Sequence, residues 1–366
     1  MKYFLKKFWI IILVAACINI PLLVLGATRT NKTVTLKGDT TIVEDFVVID
    51  NPYKAEGSLS TIYVISLDHS TILQNLIVSA SPTSELSTLP EHYLHFTTAE
   101  LNQMGRIQHE SSIMYSLMLA YSAASKVDES IHLDYEFDAY VIAYYDKTSE
   151  FRIGDRIIGV DGIYAKDSFE NFKEAFNNAK EGTVYQVMRG GKELEISYTS
   201  DNMRIAGYSY YNLDSKTASP SYKIKSTNVG GPSGGLLQTL ALYNSLIEKD
   251  ITNGFRIAGT GTIEPDGTVG MIGGIQQKIY TAYDDKMEIF LCPKDNYEEA
   301  LIAYNKLPHK ERMSLYSVET FEEALEILSN HNSEGGTLIC LPFKNVIEHV
   351  KIKSRNYLYK PQIKFG

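Results

Sequence analysis

The chain has 366 residues, 44% hydrophobic and 22% charged, with 25 glycines and 11 prolines. At ~100–200 residues per domain this suits two or three globular domains and excludes a disordered, collagen-like or purely coiled-coil protein. A net charge of −9 leaves no basic face for nucleic acid, and Cys17, Cys292 and Cys340 form neither a disulfide framework nor a Cys-x-x-Cys zinc pair.

Residues Met1–Lys7 carry Lys2, Lys6 and Lys7 and no acid, and Phe8–Ala27 then runs without a charge, interrupted only by Asn19 and Pro21. Such a helix crosses a hydrocarbon layer of ~30 Å, with the lysines on the cytoplasmic side. Residues 1–27 are therefore expected to be a cytoplasmic stub and a single-pass anchor, with the rest of the chain extracytoplasmic. Two other readings exist: a secretory peptide cut after Leu25-Gly26-Ala27, and lipidation of Cys17, since Val14-Ala15-Ala16-Cys17 resembles a bacterial lipobox. The large Leu25 weighs against the first, and the apolar run Ile18–Ala27 against the second.

Residues 28–132 are expected to form an N-terminal lobe. Thr33–Leu36, Thr41–Ile49, Ser60–Leu67 and Leu73–Ala80 are rich in β-branched residues and bounded by turn residues, which predicts strands. Ser79–Pro90 reads as a Ser/Thr/Pro-rich connection, and Ser111–Lys126 as a helix with Ile113, Leu117, Ala120 and Ala124 at helical spacing. Residues 133–200 follow as a β-rich block. Ile157, Ile158 and Val160 build a strand and Asp161-Gly162 a tight hairpin turn. Ser168–Lys180 is a predicted helix with Phe169, Phe172 and Phe176 at helical spacing; Val184–Met188 and Glu193–Tyr198 are predicted strands. From Tyr222 onward strands and helices alternate, as in an α/β layer structure: strands at Tyr222–Ser226, Ile289–Cys292 and Ser314–Val318, helices at Tyr297–Tyr304 and Phe321–Leu328. Thr320 and Glu323 stand at capping-box spacing. The tail, 331–366, is basic (Lys344, Lys351, Lys353, Arg355, Lys360, Lys364) and implies no function.

The chemistry is expected between Tyr222 and Lys294. Gly230-Gly231-Pro232-Ser233-Gly234-Gly235 is a sharp turn, and Leu236–Glu248 is a helix so apolar all round that it must be buried. Ser233 thus stands at a helix mouth, where free N–H groups and the positive dipole end could stabilise an oxyanion. Taken alone, the turn equally suits a helix start capped by Ser233. A second segment, Gly273-Gly274, opens a short helix on which Ile275, Ile279 and Ala282 fall within about 60° of one another. Lys278 shares that face, so dehydration should lower its pKa and let it act as the general base for Ser233. The competing reading is a lysine whose stem packs while its head reaches water.

Two family resemblances follow from these residues. Arg152-Ile153-Gly154-Asp155-Arg156-Ile157-Ile158-Gly159-Val160-Asp161-Gly162 resembles the Gly-Asp-x-Ile…Val-Asp-Gly stretch of PDZ domains, which implies peptide binding along an exposed strand. The family's carboxylate-binding loop has no match near Asp134–Val141, so capture of a free C-terminus is not implied. The segment from Tyr222 to Leu328 resembles the proteolytic domain of Lon-type serine peptidases, and in particular their membrane-anchored, PDZ-containing bacterial relatives. Gly231-Pro232-Ser233-Gly234-Gly235 is similar to the family's nucleophile segment. Ala258-Gly259-Thr260-Gly261-Thr262-Ile263 and Gly267-x-Val269-Gly270-x-Ile272-Gly273-Gly274-Ile275-x-x-Lys278 are similar to its lysine segments. The resemblance implies Ser233 as nucleophile, Lys278 as base, and Thr260, Gly231 and Gly234 in support. It also implies an α/β (α+β) proteolytic domain over 201–330, a β-rich PDZ-like domain over 133–200, and a peptide or protein substrate. No metal or other cofactor is expected, and no nucleotide, since no Gly-x-x-x-x-Gly-Lys-Ser/Thr segment occurs. Gly230 stands where motor-linked relatives carry Asp. Two rival functions remain: an α/β-hydrolase esterase with Gly231-x-Ser233-x-Gly235 as elbow and Ser233, Asp295 and His309 as triad (His331 and His349 also lie downstream), and a membrane-tethered PDZ scaffold with an inactive peptidase-like domain.

Overall fold

The uncharged N-terminal run forms one helix, α1 (Lys2–Ala27), whose Lys7–Ala27 portion is long and apolar enough to cross a membrane and has no buried residue. The computed structural model describes residues 2–199 and 205–331, so Cys340, His349 and the basic tail lie outside the described residues. Strand β1 (Lys32–Ile42) leads through a 3-10 turn at Val43–Asp45 to β2 (Val47–Ile49) and then β3 (Ser58–Leu67). The single strand expected over Thr41–Ile49 is therefore broken. Val43 and Phe46 are both buried, and a strand would turn residues three apart to opposite faces.

Leu73–Ala80, expected as a strand, is instead helix α2 (Ile72–Ser79). Thr71 and Gln74 form a reciprocal capping box there, each side chain accepting the other's backbone N–H. Local capping outweighs the β-branched composition. The connection that follows contains a short strand, β4 (Glu85–Thr88). Helix α3 (Thr98–Ala124) begins well before the predicted start, at a second capping box between Thr97 and Glu100. Its first turns are polar, so hydrophobic periodicity does not reveal them.

An antiparallel sheet comes next: β5 (Tyr135–Tyr145), β6 (Arg156–Val160), β7 (Ile163–Tyr164), helix α4 (Phe169–Asn177), β8 (Val184–Arg189), β9 (Lys192–Ser197) and β10 (Ile205–Leu213). Its order is β10-β5-β6-β8-β9, with β7 paired to β6 through Asp161 (φ 49°) and Gly162 (φ 77°), the positive-φ pair a two-residue hairpin needs. It has its own core, in which Phe151, Ile157, Phe172, Tyr185 and Val187 are fully buried. The block expected to end at residue 200 continues, because β10 pairs with β5 from Ile205 to Leu213.

The remaining elements are β11 (Tyr222–Ile224), α5 (Gly235–Leu246), β12 (Arg256–Gly259), β13 (Thr262–Ile263), β14 (Val269–Gly270), α6 (Ile275–Asp284), β15 (Ile289–Pro293), α7 (Tyr297–Tyr304), β16 (Ser314–Val318) and α8 (Phe321–Asn330). The main sheet has the order β16-β15-β12-β3-β1-β4, parallel from β16 to β3 and antiparallel at β1 and β4. Residues 28–132 and 201–330 therefore share one sheet, so the expected separation of an N-terminal lobe from the catalytic domain is not a division of this sheet. Strands buried on both faces read as continuous apolar runs. Ile257, Ile289 and Leu291 pack with α3, α5 and α8 on one face. Ala258, Phe290 and Cys292 pack with α6 and α7 on the other. Leu240 of α5 is fully buried at the centre of the first layer. Leu240→Ala should lower unfolding stability by about 2–5 kcal/mol, measured as a shift in the thermal or denaturant midpoint.

Candidate active site

The turn that carries Ser233 is held mainly by α3, from a region far away in the chain. Gly231 N–H donates to Gly105 O at 2.8 Å, and Ser116 Oγ donates to Gly235 O at 3.1 Å. Ser112 Oγ lies 3.2 Å from Pro232 O and 3.0 Å from Gln238 Oε1. His109, buried on the same helix, meets Thr227 Oγ1 at 3.3 Å, and burial pushes its pKa down. Of these, the α3 residues Gly105, His109, Ser112 and Ser116 were not singled out from the sequence. A signal exists: Ser112 and Ser116 sit one turn apart on an otherwise apolar stretch, as buried polar groups with distant partners do.

Gly235 starts α5 against β13. A Cβ there would come within 2.8 Å of Ile263 Cγ2 and 2.9 Å of Ile263 N, so only glycine lets the helix approach this closely. Gly234 is equally confined, its Cβ position lying 2.9 Å from both Thr61 Oγ1 and Gln238 Nε2. Gly231 faces open space with φ 87°. Among the described residues the N–H groups of Ser233 and Gly234 meet no acceptor, whereas Gly235 N–H donates to Pro232 O and Leu236 N–H to Gly261 O. The free pair lies at the positive end of the α5 dipole, where a developing oxyanion would be stabilised.

Lys278 reaches this mouth from the opposite face of the sheet. Its helix α6 buries Ile275, Ile279 and Ala282 completely, and Lys278 itself is 1% exposed. The amine Nζ lies 2.7 Å from Ser233 Oγ and 2.9 Å from Thr260 Oγ1. Burial alone lowers its pKa from 10.5 to about 7. Thr260 fixes the polarity of the cluster. Its hydroxyl donates to Ser233 O at 2.9 Å, an oxygen that also accepts Gly261 N–H at 2.8 Å. Thr260 Oγ1 can then only accept from the amine, which leaves the lone pair of neutral Lys278 for the hydroxyl hydrogen of Ser233. The three residues identified from the sequence thus converge just beyond the carboxyl end of β12, the usual location of a site in an α/β sheet.

The rival triad does not assemble. Asp295 and His309 are exposed, and His309 Nδ1 lies 3.4 Å from Glu311 Oε1. His331 is engaged by the Tyr316 hydroxyl. An elbow also needs a main-sheet strand before the serine, yet among the described residues β11 pairs only with β2. The capping box expected at Thr320 forms by half: Thr320 accepts Glu323 N–H, but the Glu323 carboxylate takes Glu319 N–H instead.

Comparison with known proteins agrees with this geometry. Residues 172–330 match the Lon protease (S16) C-terminal proteolytic domain. The Lon protease of Campylobacter jejuni is 33% identical over 98 residues, which is 26% of this chain and 12% of that protein. The Lon protease of Fervidobacterium nodosum is 34% identical over 105 residues, 28% of this chain and 12% of its own length. That of Clostridium acetobutylicum is 26% identical over 197 residues, 47% and 24% of the two chains. The chain thus spans only about an eighth of the first two relatives. It carries a Lon-type serine peptidase domain.

Lys278 binds its proton less readily in the fold than in the unfolded chain, so between pH 7 and 10.5 the unfolded chain holds more protons and stability rises with pH. Lys278→Met should flatten this rise and, near pH 7, raise stability by about 1–3 kcal/mol after the loss of two hydrogen bonds. Thermal unfolding at pH 6, 7, 8 and 9 tests this; a less stable variant at every pH would contradict it.

Proposed function

We propose that this protein is a membrane-anchored, ATP-independent serine endopeptidase that cleaves extracytoplasmic peptides or proteins with a Ser233–Lys278 dyad. The observation that carries the reading is the buried amine 2.7 Å from a hydroxyl at the mouth of α5. Lys278 takes the proton of Ser233 as Oγ attacks the substrate carbonyl, and the oxyanion faces the N–H groups of Ser233 and Gly234. The ammonium then protonates the leaving amine, and the acyl-enzyme is released when water attacks with Lys278 again as base. Thr260 keeps the amine aimed throughout. ATP independence rests on the sequence, which holds no phosphate-loop segment.

Membrane anchorage is supported by the apolar, unburied surface of α1, and the orientation by the lysines that precede it. A PDZ-like role for the β5–β10 sheet is supported by its antiparallel order, the Asp161-Gly162 hairpin and the packing of α4 on it. In this reading the module gathers or orients a substrate segment.

With the full chain in detergent and a quenched fluorescent peptide, Ser233→Ala and Lys278→Ala should each lower kcat/KM about a thousandfold or more. His309→Ala should leave it unchanged. The parent rate should rise with pH through about 7 and then level, as Lys278 becomes neutral. A flat profile from pH 5 to 9 would remove the lysine from its role as base.

A further inference from the structure

A cavity of about 50 Å³ opens beside the nucleophile segment, between Pro232 on one side and Thr262–Glu264 on the other, with Tyr115 and Tyr208 as walls. Both flanking segments belong to the dyad's own framework: Pro232 precedes Ser233, and Thr262 follows two residues after Thr260. The backbone of Glu264 is engaged in the turn joining β13 to β14, where its N–H donates to Thr268 O at 3.0 Å and its carbonyl accepts Gly267 N–H at 2.9 Å. Its carboxyl is not so engaged. Among the described residues no lysine, arginine or histidine pairs with it, and the Tyr115 hydroxyl is spent on Ser209 O at 2.9 Å. Burial, and then Asp266, push the Glu264 carboxyl up to about 7. Its charge is felt by both walls: after burial, Glu264 is the next cause raising Tyr115 and Tyr208.

A half-buried acid that lines a cavity together with two tyrosines lacks, among the described residues, the cation that would offset its desolvation. We propose that this cavity receives the cationic head of a substrate lysine or arginine next to the scissile bond, with Glu264 as the residue that sets this specificity. The carboxylate supplies a charge-assisted hydrogen bond, and the tyrosine faces add attraction for the cation. The cavity has room for a compact cationic group such as an ammonium or guanidinium. The proposal rests on the peptidase reading above.

Two measurements separate the proposal from that reading. In the first, the full chain in detergent digests a proteome-derived peptide library, and the cut bonds are identified by mass spectrometry. Lys and Arg should be enriched at one position flanking the cut, and Glu264→Gln should reduce that enrichment about tenfold. Cleavage without basic enrichment, or enrichment untouched by Glu264→Gln, would overturn the proposal. In the second, agmatine binding to the Ser233→Ala protein is measured by calorimetry. It should weaken about tenfold or more when Glu264→Gln is added, and equal affinity would overturn the proposal. If the parent cuts nothing while agmatine binding still depends on Glu264, the peptidase reading falls and the cation site stands. Calorimetry likewise decides the matter if Glu264→Gln abolishes all cleavage.

Discussion

A lysine amine buried at 1% exposure and fixed against a serine hydroxyl is the constraint that organises this molecule. Dehydrating an amine is costly unless it becomes neutral or gains partners, and here both occur. The sheet makes this possible by separating the two reactive groups. Ser233 comes from the layer of α3 and α5, Lys278 from the layer of α6 and α7, and they meet beyond β12. Thr260, the residue directly after that strand, lies between the layers and directs the hydrogen bonds. Displacing either helix by an ångström would separate amine from hydroxyl, so the packing of Ile275, Ile279 and Ala282 on one side and of Leu236, Leu237 and Leu240 on the other holds the pair together.

The structure also redraws the extent of the catalytic body. The matched family segment covers residues 172–330, yet β12 pairs with β3 from the N-terminal region, and α3 braces the nucleophile turn through Gly105, Ser112 and Ser116. A fragment beginning at the family boundary would lack the partner strand and the helix that fixes Gly231 and Pro232. The β5–β10 sheet inserts between these two halves of the main sheet, with its own core around Phe172 and Tyr185. Movement of such an insert would bear on α3, which contributes Met104 to that core and Ser112 to the nucleophile turn.

Where sequence reasoning succeeded, the signal was local. The apolar girth of α5, the Gly273-Gly274 start of α6, the lysine on an apolar stripe and the Asp161-Gly162 turn each lie within a few residues of chain. Where it failed, something competed with the local pattern. Capping by Thr71 and Gln74 made a helix of a β-branched run, burial of both Val43 and Phe46 broke a strand, and the polar opening of α3 hid its first turns. His309 and Asp295, chosen for their order in the chain, ended on the exposed surface.

The sequence by itself determined the apolar N-terminal helix, the alternation of layers after Tyr222 and which serine and lysine to examine as a pair, because periodicity, glycine and dehydrated charge are properties of short stretches. Only the tertiary structure decided that Ser116 would brace Gly235 across 119 residues, that β3 would line up beside β12, and that Glu264 would line one cavity with Tyr115 and Tyr208. Those contacts are set by how buried surfaces fit together across the whole chain, and no local pattern encodes which distant group will satisfy a buried polar atom.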